Sequence, residues 1–138
     1  MSHPQLSTRS IDELVRTFED GTLDPDTFSH ADHLRVALFY VATLPFEQAR
    51  DQFRSTLLNF VKIHNISVYS ETVTQFWMKK VFTFWHQNHE TLTSSVLEAE
   101  LVRQLAHSKA IQRHFSPELL ATERAKTEWV EPDREPIA

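Results

Sequence analysis

Imidazoles and carboxylates are the groups from which this chain can build reactive chemistry, because its 138 residues include eight histidines and no cysteine. The missing cysteine excludes disulfides, thiolate zinc sites and a cysteine nucleophile, and no nucleophile-elbow sequence offers a reactive serine. Two histidine pairs share one spacing, His30-x-x-His33 and His86-x-x-His89. Residues three apart on a helix lie on one face, so each pair could present two imidazoles to a single point. Glu71, in the run Tyr69-Ser70-Glu71-Thr72-Val73-Thr74, is a candidate third group. Two histidines and one carboxylate form a facial set that suits iron, manganese or zinc and leaves positions open for substrate.

Whether these residues meet depends on the elements that carry them. A single glycine, few Asn-Gly-type turns and apolar residues spaced by three and four predict an all-α chain. Ser10 and Glu13 form a capping-box pattern, Ile11, Leu14, Val15 and Phe18 make one apolar stripe, and Gly21 ends the first helix as a left-handed cap. After a loop over 22–28, Ser29 or Thr27 caps a second helix that turns Leu34, Ala37, Leu38 and Val41 inward. Leu44-Pro45 breaks it, and a third helix from 45 to about 64 buries Phe46, Ala49, Phe53, Leu57, Phe60 and Val61.

Ser70 caps a fourth helix, from 71 to about 86, whose Val73, Phe76, Trp77, Val81, Phe84 and Trp85 form a broad face and mark it as the central core helix. Ser94 or Ser95 caps a fifth helix to about 106, and short turns follow at 108–114 and at Ser116-Pro117-Glu118. The charged stretch 118–128 reads as a solvated face, and an irregular tail from about 131 leans on the body through Trp129 and Val130. The expectation is one helical domain over 1–138, a small irregular bundle of about five main helices.

Short connections favour antiparallel neighbours. The start of the second helix, the end of the third and the start of the fourth then share one end of the bundle, which gathers His30, His33, His64, Tyr69 and Glu71. His86 cannot join them, since ~1.5 Å of rise per residue puts it ~22 Å from Glu71. His86 and His89 suit the negative end of a helix dipole instead. His107, His114 and His3 are expected to face solvent. The dipole also opposes a metal at the first cluster, because helix N-termini favour anions. With Arg35 nearby, the same end could hold a carboxylate or phosphate while a neutral histidine serves as acid or base.

Other functions are disfavoured by composition. One glycine cannot supply a dinucleotide-binding or P-loop turn. A net charge of −5, with Lys79-Lys80 as the only adjacent basic pair, argues against nucleic acid. The start Met1-Ser2-His3-Pro4-Gln5 lacks a leader pattern, and the apolar run at 36–41 is too short to span a bilayer. A cytoplasmic protein without a membrane partner is expected. Three tryptophans and ten phenylalanines would allow a homodimer interface.

The stretches Phe28-Ser29-His30-Ala31-Asp32-His33-Leu34, Ile63-His64-Asn65 and Tyr69-Ser70-Glu71-Thr72-Val73-Thr74 resemble an uncharacterised bacterial family of small helical proteins. That family pairs a Thr/Ser-His-x-x-His-Leu stretch with a later Tyr-His-Glu-Thr-x-Thr. The closing segments His114-Phe115-Ser116-Pro117-Glu118-Leu119-Leu120 and Trp129-Val130-Glu131-Pro132-Asp133 are similar too, so the likeness runs over about 15–135. Ser70 stands where the family pattern has histidine; if that histidine only capped the helix, serine replaces it.

The sequence therefore points to a small-molecule enzyme, a hydrolase, lyase or oxygenase, with its site at one bundle end. In that reading His30, His33 and Glu71 hold a divalent metal while His64, Tyr69 and Thr74 orient substrate. The alternative is a non-catalytic helical module that binds a small anionic ligand or a partner protein through the same end.

Overall fold

The computed structural model describes residues 9–137, and His3 lies outside them. The described chain is all-α. Five longer helices, α1 (Ile11–Asp20), α2 (His30–Thr43), α3 (Phe46–Ile63), α4 (Glu71–Asn88) and α5 (Ser94–Leu105), are followed by short helices α6 (Pro117–Leu120) and α7 (Glu123–Thr127). Short 3₁₀ turns occupy Pro25–Thr27 and Ser108–Arg113. No described helix is long and apolar enough to cross a membrane.

The helix boundaries follow from local chemistry. Ser10, Ser29 and Ser70 each sit in extended backbone and accept from the amide three residues on, which satisfies an otherwise orphaned donor. Gly21 closes α1 with φ of 81°, the left-handed conformation that costs glycine least. Thr93 rather than Ser94 or Ser95 precedes α5, and its side chain makes no cap bond.

The centre of the bundle is α2, not α4. It packs against α1, α3, α4 and α5, and its Asp32, Leu34, Arg35, Val36, Ala37, Leu38, Tyr40 and Val41 are buried around its circumference. A helix covered on all sides needs apolar residues all round, whereas an amphipathic one shows a single stripe. The aromatic face of α4 is divided instead. Met78, Val81 and Phe84 enter the main core, while Phe76 joins Ile111, Phe115, Ala125 and Val130 in a smaller cluster.

That smaller cluster organises the C-terminal segment. The charged residues of 118–128 are exposed, as expected, while between them Thr122 caps α7 and Ala125 is fully buried. Buried Thr72 donates to the Glu128 carbonyl at 2.8 Å and accepts from the Val130 amide at 3.2 Å. The tail beyond 131 is irregular, as expected, but Arg134 and Glu135 donate their amides to the carbonyls of His114 and Arg113. His114 itself is buried rather than solvent-facing, and its Nδ1–H donates to the Glu135 carbonyl at 2.8 Å. An imidazole in reach of an incoming backbone carbonyl can be buried without leaving its N–H unpaired.

Candidate functional site

The ends of α2, α3 and α4 converge as the topology requires, around a cavity of about 500 Å³. The start of α2 contributes His30, His33, Leu34 and Ala37, α3 contributes Phe53, Leu57, Phe60 and Val61, and the start of α4 contributes Tyr69 to Met78 in part, with Ser70, Val73, Thr74 and Trp77 among its lining. The walls are thus largely apolar and aromatic, with a few polar groups from separate helices, the usual make-up of a small-molecule pocket. No lysine, arginine, aspartate or glutamate lines it.

Each imidazole near this end is held by one backbone carbonyl and one ring. His33 Nδ1 bonds the Ser29 carbonyl at 2.9 Å, and the ring stacks on Phe28 with centroids 3.9 Å apart. His30 Nε2 bonds the Leu105 carbonyl at 3.2 Å, and the ring meets Trp77 edge-on at 4.6 Å. His64 Nε2 bonds the Gly21 carbonyl at 3.0 Å and leans on Phe60. His64 does not line the cavity; it ties the end of α3 to the turn after α1.

Burial lowers the pKa of both His30 and His33, and the carbonyl bonds only partly offset that effect. The neighbouring His30 also makes a charge on His33 less favourable. Both are therefore neutral near pH 7.

Glu71 is buried beside the cavity but does not line it. Its Oε2 accepts from Arg54 Nη1 at 2.9 Å and Gln75 Nε2 at 2.6 Å, and its Oε1 accepts from the Tyr69 hydroxyl at 2.8 Å. Burial opposes the carboxylate, yet the bonds from Gln75, Arg54 and Tyr69 outweigh it and hold the pKa below the ordinary value. Burial and the neighbouring carboxylate push the Tyr69 hydroxyl upward, so it remains protonated. Thr74 lies on the same cavity wall, one turn into α4.

The expected set of His30, His33 and Glu71 is consequently not assembled as ligands. Both Glu71 oxygens are engaged by Arg54, Gln75 and Tyr69, and among the described residues no three His, Asp or Glu side chains gather to hold a metal. Arg35 is likewise directed elsewhere, onto Asp32, Glu98 and the Arg9 carbonyl. His89 bonds the Trp85 carbonyl and stacks on that ring at 3.9 Å, while His86 is exposed, so this pair serves its own helix end.

Arg54, Gln75, Phe28 and Trp77 were not singled out by spacing as site residues. Gln75 lies one turn after Glu71 and was legible as an i, i+4 partner, whereas Arg54 comes from another helix and carried no local signal. Comparison with known proteins found no matching family model, curated protein or solved structure.

Proposed function

We propose that the end cavity binds a small molecule with a mainly apolar body, and that His33, with His30 beside it, acts on the polar part as a neutral acid–base pair. The observation that carries this reading is the cavity of about 500 Å³ in which two uncharged imidazoles from α2 face α3 and α4 across apolar walls. A neutral imidazole can take a proton near pH 7, which a charged one cannot. Tyr69, held by Glu71, and Thr74 orient the ligand from α4.

A non-catalytic binding module is the second reading. It is favoured by the partner of His33 Nδ1, which is a neutral carbonyl where a catalytic base is commonly oriented by a carboxylate. Thermal-shift screening of small fragments against the protein and a Leu57→Trp variant, whose larger side chain fills the cavity, tests both readings. Stabilisation by fragments in the native protein but not the variant supports a cavity ligand; equal response in the two sinks it. Bound fragments that NMR shows converting over time, with conversion lost in His33→Gln, support catalysis, and unchanged fragments support the module. Metal content of tag-free protein before and after His33→Ala tests the metal-bearing version, which requires Glu71 to leave Arg54.

A further inference from the structure

Of the polar groups around the end cavity, His30, His33, Tyr69 and Ser70 spend their protons on other partners, whereas the Thr74 hydroxyl can turn either way. A backbone carbonyl can only accept, so the contact at 2.9 Å to Ser29 places the His33 proton on Nδ1 and leaves Nε2 as the lone-pair nitrogen. The contact at 3.2 Å to Leu105 places the His30 proton on Nε2 and leaves Nδ1 as acceptor. Tyr69 spends its proton on Glu71, and Ser70 donates to the Ala125 carbonyl. Ser108 adds an exposed hydroxyl that can turn either way.

The usual sources of anion affinity are committed elsewhere. No cationic side chain lines the cavity. Arg54, which reaches from α3 to the start of α4, pairs with Glu71 and Asp51, and Arg35 pairs with Asp32 and Glu98. The positive ends of α2 and α4 already face acidic side chains in their own first turns, Asp32 and Glu71, and the Ser29 and Ser70 hydroxyls occupy cap amides.

We infer that this cavity selects a ligand whose polar head donates hydrogen bonds, an alcohol, amine or amide N–H, over a carboxylate or a phosphate. The inference rests on the small-molecule reading above and adds the polarity of the ligand. A donor head meets the lone pairs of His33 and His30, while a carboxylate there meets acceptors and loses its hydration without compensation. An amine head also finds aromatic faces in Phe28, Phe60 and Trp77.

The test uses three probes with one body: 3-phenylpropanol, 3-phenylpropylamine and 3-phenylpropionate, titrated by calorimetry into the native protein and Leu57→Trp. The alcohol or the amine should bind the native protein at least about tenfold more tightly than the acid and lose that affinity in the variant. The alcohol and amine arms distinguish a neutral from a cationic head. The acid binding as well as the tighter of the other two overturns the inference and leaves the cavity reading intact. No probe binding, or equal binding to the variant, overturns both. A ligand-free measurement stands beside these: long-range ¹H–¹⁵N spectra of the imidazoles should show His33 protonated at Nδ1 and His30 at Nε2. The opposite tautomer at either residue overturns the inference whatever binds.

Discussion

Arg54 on α3 and Glu71 at the first turn of α4 meet at 2.9 Å, and this contact converts a carboxylate that spacing offered as a ligand into the anchor of a hydrogen-bonded group. The same carboxylate receives Gln75 and the Tyr69 hydroxyl. It thereby sets the orientation of a tyrosine on the cavity wall.

Removing Glu71 should cost more than removing Arg54. Glu71→Ala leaves three donors without an acceptor, and about 2–3 kcal/mol of destabilisation is expected. Arg54 is partly exposed, so water replaces its loss in part and Arg54→Ala should cost about 1 kcal/mol. Urea unfolding of both variants measures the order; an Arg54→Ala loss equal to that of Glu71→Ala would contradict it.

Acid should weaken the fold in two stages. The pKa values of His30 and His33 are lowered in the folded state by burial, so the unfolded chain binds protons first. Stability is then fully present above the ordinary imidazole value of about 6.5 and declines as pH falls from there toward the folded values. Glu71, also lowered in spite of its burial, contributes stability above the ordinary carboxylate value of about 4.3 and loses it as pH falls through its folded value. Urea midpoints across about pH 2–8 measure the profile, and His33→Gln should flatten the upper stage.

Thr72→Val should loosen the C-terminal segment selectively. The swap keeps the shape and strands the Glu128 carbonyl and the Val130 amide, at a cost of about 2 kcal/mol. Limited proteolysis should then cut within 128–137 earlier than elsewhere. Uniform digestion of the variant and the native chain would argue against this anchoring role.

Gly21 should accept asparagine better than alanine. Its φ is 81°, which asparagine tolerates more readily than alanine does, so Gly21→Ala is expected to lose about 1–2 kcal/mol and Gly21→Asn less. An added Cβ would lie 2.7 Å from Ile63 Cδ1, but that side chain is half exposed and can turn aside. Thermal melts of the two variants rank them.

Much of the bundle was legible because its signals are local. Ser10, Ser29 and Ser70 cap the helices whose starts they mark, and Gly21 stops α1, since these bonds and angles involve residues within one turn. The convergence of His30 and His33 with Tyr69 and Thr74 was legible one step further on, because short connections force α2, α3 and α4 to alternate in direction. The environment of His114 was not, since the Glu135 carbonyl that receives its proton reaches it from another part of the chain.

The sequence by itself determined the helical class, most helix boundaries and the group of residues brought to one end, all set by caps, apolar spacing and connection length. Only the tertiary structure decided what those residues can do there. Glu71 sits in the first turn of α4 under either reading, but Arg54 arrives from α3 and takes its oxygens. His33 and His30 keep their spacing under either reading, but the Ser29 and Leu105 carbonyls choose which nitrogen of each stays free. Spacing places a side chain on a face, whereas its charge, tautomer and remaining valence depend on whichever partner the fold brings to it.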